Sequence, residues 1–181
     1  MTQEFLPTQT IFETLRLRLR TLNAADAEFY LRLVNEPSFI ENIRDRGIRT
    51  IDQAKEAIQS GHRDVQEKSG FSLFLVERKN DGVAIGLCGL VKRDGLPGID
   101  IGYAYLPEFG RQGYAYEANH GLLKHAKQNL NIQELLAIVS LHNDASCFLL
   151  EKLGFVFQEI IPWNDDDAVK LFKRELSDMG N

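Results

Sequence analysis

Cysteine, methionine and tryptophan are scarce in this chain, at two, two and one among 181 residues. Cys88 and Cys147 stand far apart, with neither CxxC nor Cys/His metal spacing. That argues against a disulfide framework or a zinc site and reads as reduced core thiols in a cytoplasm. The four histidines form no His/Asp/Glu cluster, so no metal is expected. Excess positive charge is also missing. Lys and Arg number 21 against 26 Asp and Glu, a net charge of −5, which disfavours nucleic acid as the main partner. No apolar run approaches membrane-spanning length, and "MTQEFLPTQT" lacks the basic start and apolar core of a signal peptide, so no membrane partner is expected. There are no repeats and no low-complexity linker, and residues 1–181 read as a single domain.

The patterning that is present alternates between two periods. "LRLRLR", Leu15 to Arg20, is a strand with a buried leucine face and a wet arginine face. Asn23 is a cap for a helix with Ala27, Tyr30, Leu31 and Val34 on one side, ending before Pro37. Residues 36–49 read as irregular, and a more polar helical segment follows from Ile51 to Gly70. "FSLFLVER", the Asn80-Asp81-Gly82 turn, "VAIGLCGLVKR" and "GIDIGYAYL" then give three consecutive strands. A helix from Gly113 carries Ala115, Ala118, Leu122, Ala126 and Leu130 on one face. "ELLAIVSL" is a strand buried on both faces, "NDASCFLLEKLG" a helix capped by Asn143 or Asp144 and closed by Gly154, and "FVFQEIIPW" and "DAVKLFKREL" are two closing strands. The class is mixed α/β.

"PEFGRQGYAYEA", Pro107 to Ala118, runs from a strand end through two glycines into a helix with no capping side chain. A helix N-terminus presents unsatisfied N–H donors and a partial positive charge, and glycine lets a phosphate approach them closely. The stretch is neither a GxGxxG fingerprint nor a Walker loop. Two readings stand side by side: a phosphate site on the amides of Arg111 to Ala115, or glycines that only permit a tight connection.

Taken together, four segments resemble the GNAT superfamily of acyl-CoA-dependent N-acyltransferases, in particular its ribosomal-protein N-terminal alanine and serine acetyltransferase (Rim-type) branch. They are "TLRLRLRTL", "AIGLCGL", "DIGYAYLPEFGRQGYAYEA" and "NDASCFLLEKLGF", in order and at ordinary spacings. The resemblance implies a mixed, mostly antiparallel sheet with a splayed strand pair, flanked by helices. It implies acetyl-CoA as co-substrate, its pyrophosphate on the loop Gly110, Arg111, Gln112, Gly113, Tyr114 and Ala115. Gly110 stands where the family has Gln or Arg, and Arg111 where a further glycine is common; the Arg111 side chain can itself reach a phosphate oxygen. The pantetheine arm is implied on main chain of Tyr103, Ala104, Tyr105 and Leu106.

Acetyl transfer from a thioester needs a neutral amine, a polarised carbonyl, a stabilised thiolate and alignment. By resemblance Asn143 holds the pantetheine, its reading from the residues alone being a helix cap, and one amide can do both. Ser146 is implied near the sulfur, against a plain helix-turn serine; Leu150 occupies the position at which many superfamily members carry a tyrosine acid. Asp100 is the base by position, against a solvent-facing strand carboxylate. An aspartate near pKa 3.9 is a weak base unless burial raises it, which favours an α-amine near 7.7–8.0 over a lysine near 10.4. The expected acceptor is therefore a protein N-terminal α-amine, such as that of a ribosomal protein. The alternatives are a small amine or polyamine, or a non-catalytic acyl-CoA-binding module. Glu117 reads as structural, His142 as a surface or structural histidine, and neither cysteine as a nucleophile. Specificity is expected in residues 24–69 and near Trp163; the Asp165-Asp166-Asp167 run reads as a solvated turn, or, beside an acceptor cleft, as an attraction for a cationic substrate. The assembly is expected as monomer or homodimer.

Overall fold

The computed structural model describes residues 7–164 and 167–177. Strand β1 (Thr10–Glu13) and β2 (Leu17–Arg20) lead through a 3-10 turn, Ala24–Asp26, to α1 (Ala27–Val34), α2 (Pro37–Asn42), α3 (Ile51–Ile58) and α4 (Asp64–Ser69). Strands β3 (Leu73–Arg78), β4 (Ala84–Lys92) and β5 (Ile99–Tyr105) meander. Helix α5 (Tyr114–Leu130), β6 (Glu134–Ser140), α6 (Asp144–Lys152), β7 (Val156–Trp163) and β8 (Asp167–Glu175) complete the order. Asp165 and Asp166 of the acidic run lie outside the described residues.

Local chemistry accounts for most boundaries. Asn23 and Thr50 each close a capping box, the first with Asp26 and the second with Gln53. Gly154 takes a left-handed φ of 82° behind α6. Among the described residues the α-helix absent from the sequence reading is α2, inside residues 36–49; Pro37 pre-sets its first turn. The short edge strand β1 was also not expected.

The strands form one eight-stranded sheet in the order β1-β2-β3-β4-β5-β6-β8-β7, antiparallel except between β5 and β6. Its two faces carry separate cores. Leu17, Leu19, Phe74, Val76, Cys88 and Leu90 pack under α5 and α6, whereas Leu75 and Leu87 pack under α1 and α3. The arginines of β2 are held by carboxylates: Arg18 binds Glu13 and Glu77, and Arg20 binds Glu77 and Asp26.

Arg16 reaches further. Its Nε and backbone N–H both donate to the Glu117 carboxylate, at 2.6 and 2.7 Å, and Thr14 Oγ1 donates to the same group at 2.6 Å. Burial opposes Glu117's ionisation, but these donors outweigh it and hold its carboxyl below the usual range. Glu117 thus anchors the first turn of α5 to the sheet, the structural role its sequence position implies. Glu117→Ala should lower stability by about 2–3 kcal/mol, the range for losing charge-assisted hydrogen bonds at a part-buried site, in urea melts at pH 7.

Candidate active site

The site is built where β5 and β6 part. Among the described residues the two strands share one parallel bridge, Asp100 with Leu136. On its other side β5 is paired with β4 along its whole length, from Lys92 with Ile99 to Gly86 with Tyr105. Leu106 N–H donates to Ile85 O at 2.9 Å. Antiparallel pairing alternates, so this bond fixes which residues face which neighbour. Leu106, Ala104 and Gly102 turn their main chain to β4; Tyr105 and Tyr103 turn theirs into the gap. The expectation of an arm on all of Tyr103 to Leu106 is therefore narrowed. The Leu106 and Ala104 amides are committed to β4, and Tyr103 and Tyr105 are left.

Side chains alternate the other way. Tyr103 and Tyr105 pack into the core beneath α5 and α6, while Ala104 packs on the α1 and α3 side, the side that Asp100 shares by the two-residue repeat. Asp100 is fully buried, which overturns its reading as a solvent-facing carboxylate. Arg93 Nε donates to Oδ2 at 2.8 Å, and among the described residues Oδ1 has no hydrogen-bond partner. Burial pushes this carboxyl up to about 6, with the Arg93 charge and hydrogen bond pulling the other way. Sequence reasoning missed Arg93, although the hairpin register that pairs Val91 with Asp100 puts the two within reach.

At the end of β6, α6 begins. Asn143 Oδ1 accepts the Ser146 N–H at 3.1 Å, so it is the cap, and its Nδ2 has no hydrogen-bond partner among the described residues. Ser146 Oγ lies 2.7 Å from the Tyr103 hydroxyl, a contact across the strand gap that the sequence did not show. Leu150 is buried in the core, as an apolar residue should be. Cys88 is a core thiol raised by burial to about 12. Cys147, expected in the core, is only half-buried, with Lys170 Nζ 3.6 Å from its sulfur. His142 shows no partnership with Asp100 or Ser146. Ser140 Oγ, the last residue of β6, donates to Asn42 Oδ1 of α2 at 3.3 Å, so the helical region borders the gap. Trp163 stands beside Gly95 in the β4–β5 turn.

The loop before α5 keeps its donors free. Gly110 N–H is taken by Pro107 O at 3.0 Å, so the free amides begin one residue later than the loop motif implies. Among the described residues the amides of Arg111 to Tyr116 have no backbone acceptor, and the first helical bond is Glu117 N–H to Gly113 O. Gly113 is left-handed at φ 81°, and Arg111, at the position where a further glycine is common in the family pattern, is left-handed too at φ 59°. The loop retains the glycine-type path with a non-glycine residue, at about 1–2 kcal/mol. Unsatisfied N–H groups at the positive end of a 17-residue helix are the donors that anions bind.

A family model described as "Acetyltransferase (GNAT) domain" matches residues 16–156. The chain belongs to the GNAT acetyltransferase family. It is 30% identical over 148 residues to the Bacillus subtilis "Uncharacterized N-acetyltransferase YoaA", covering 80% of this chain and 82% of that one. In structure it is similar to RimL, a ribosomal L7/L12 α-N-protein acetyltransferase solved with coenzyme A. That match has TM-score 0.80 and 15% identity and covers 92% and 98% of the two chains. It is also similar to a spermidine N-acetyltransferase SpeG chimera from Vibrio cholerae and hSSAT, with TM-score 0.72, 20% identity and coverage of 90% and 96%. The GNAT family uses acetyl-CoA, and the shared architecture is the mixed, mostly antiparallel sheet with flanking helices expected from the sequence. Among the described residues no helix is long and apolar enough to cross a membrane.

Two stability measurements test this geometry. Arg111→Gly should raise stability by a few tenths to about 1 kcal/mol by relieving the left-handed strain, measured by urea midpoint. For Asp100 the raised value means the folded state favours the protonated form. The wild type therefore loses stability as pH rises from about 4 through 6. Asp100→Asn does not titrate, so its stability relative to wild type should improve by on the order of 2 kcal/mol between pH 4 and pH 8.

Proposed function

We propose that this acetyltransferase modifies a protein N-terminal α-amine, of the kind a ribosomal protein presents, by direct attack on acetyl-CoA. The observation that carries the reading is Asp100, a fully buried carboxylate at the vertex of the strand gap with one oxygen uncommitted. A base near pKa 6 takes a proton from an α-ammonium of about 7.8 uphill by roughly 2.5 kcal/mol, and from a lysine or polyamine ammonium of about 10.4 uphill by roughly 6. At neutral pH an appreciable share of an α-amine is also already neutral. RimL's protein α-amine chemistry supports this acceptor class, while the likeness to the spermidine enzyme shows that the fold alone does not choose it.

In this reading the amides of Arg111 to Tyr116 hold the pyrophosphate, with Arg111 as a further cation. Main chain of Tyr103 and Tyr105 receives the pantetheine arm, and Asn143 Nδ2 donates to it. One of the gap-facing N–H groups polarises the thioester carbonyl. The amine arrives on the α1 and α3 face. As nitrogen bonds to the acetyl carbon, its proton passes to Asp100 Oδ1 through water, since Asp100 has no exposed surface of its own. The carbon–sulfur bond breaks and sulfur leaves with the electron pair toward Ser146.

The test is thiol release from acetyl-CoA with a panel of N-terminal peptides, lysine side-chain peptides and polyamines. N-terminal peptides should be preferred by at least tenfold in kcat/KM. The profile of kcat/KM should fall as pH drops below about 6, and Asp100→Asn should lose at least 100-fold. Preference for spermidine, or full activity in Asp100→Asn, sinks the reading.

A further inference from the structure

Tyr103 offers its main chain to the strand gap and its ring to the core, and the ring carries a hydroxyl that the reading above does not use. The phenol is held among Cys88, Cys147 and the apolar residues under α5 and α6. Its hydrogen-bond partner is Ser146 Oγ, at 2.7 Å. Ser146 in turn belongs to the first turn of α6, where Asn143 fixes its backbone. The bond therefore joins two elements that the sheet has let go: β5 beyond its last contact with β6, and the helix that follows β6.

Either hydroxyl can donate across this contact. A phenol is a far stronger acid than an aliphatic alcohol, which favours the arrangement in which the tyrosine O–H donates and the serine oxygen accepts. Ser146 then keeps its own proton free, and its hydroxyl shows no other partner among the described residues. In a chain of hydrogen bonds each donor strengthens the next, more so where the surroundings are of low polarity. Burial keeps the phenol protonated well past neutral pH, so this polarity persists across the working range.

We propose that Tyr103, by donating to Ser146, turns the serine proton into the strand gap as a hydrogen-bond donor for the coenzyme A thiolate. The inference rests on the reading of the gap as the acyl-CoA channel. Tyr103 is a positioning residue that acts through Ser146. The acetyl carbon gains a bond to nitrogen and loses its bond to sulfur, sulfur departs with the electron pair, and Ser146 O–H donates to it without giving up its proton. No further acid is required at that step, and the thiolate takes its proton from solvent afterwards.

Coenzyme A itself is the probe, so the acceptor need not be known. Calorimetry first measures its binding to the wild type. Absorbance of the bound thiolate against pH then gives the pKa of the bound thiol, to be compared with the ordinary thiol range near 8.5. In the wild type it should be lowered by about one unit, and Ser146→Ala should return it to the free value. Tyr103→Phe, which keeps the ring and its packing, should recover at least half of that difference with coenzyme A affinity within about twofold. The double variant should match Ser146→Ala alone. Tight coenzyme A binding with a thiol pKa unmoved by Tyr103→Phe would overturn the proposal and leave the channel reading intact, as would single-variant shifts that simply add. Failure of the wild type to bind coenzyme A would overturn both.

Discussion

Backbone N–H and C=O groups removed from water must find partners, and strand β5 is where this chain leaves that requirement open. On one side β5 is satisfied residue by residue by β4. On the other it meets β6 at Asp100 and Leu136 and then diverges, so that Tyr103 and Tyr105 face a gap instead of a ladder. An extended, amide-bearing molecule can supply the missing half of that pairing. The loop that follows β5 repeats the same device at a helix end, where among the described residues the amides of Arg111 to Tyr116 have no backbone acceptor. A ligand with an amide arm and a diphosphate is complementary to both. Acetyl-CoA, the co-substrate of the GNAT family, is such a ligand.

The rest of the sheet keeps this opening from collapsing. Seven residues of β6 are paired to β8 on its far side, and β4 holds β5 on the other, so each strand bordering the gap is fixed by the neighbour away from it. Separate cores above and below stiffen the two faces. Three residues along β5 then suffice to put unlike chemistry on opposite sides. Asp100, clamped by Arg93, lies on the α1 and α3 face, and Tyr103, bonded to Ser146, lies on the α5 and α6 face. A carboxylate raised by burial and a phenol kept neutral by burial are suited to different ends of one transfer. Glu117 does no chemistry in this scheme; by tying Thr14 and Arg16 to the first turn of α5 it sets where the free amides point.

Much of this was legible along the chain because it rests on local rules. The capping asparagines, the Asn80-Asp81-Gly82 turn, the left-handed Gly154 and the two-faced burial of β6 all stand where the residue pattern puts them. The loop before α5 was legible in kind and partly in detail. Its free amides were expected; that Gly110 spends its own on Pro107, and that Arg111 adopts a left-handed conformation without being glycine, were not. Helix α2 was missed because six residues opening on a proline carry too little periodicity to register.

The sequence by itself determined most of the elements, their order and the residue types available for acetyl transfer, since periodicity, capping and turn chemistry act over a few neighbouring residues. Only the tertiary structure decided what those residues became. Ladder register settled that Leu106 serves β4 while Tyr105 faces the gap, and burial settled that Asp100 is an enclosed carboxyl raised to about 6 and not a wet carboxylate. A contact 43 residues long in sequence put a phenol on Ser146. Register, dielectric surroundings and long-range contact are properties of packed neighbours, and no stretch of chain carries them alone.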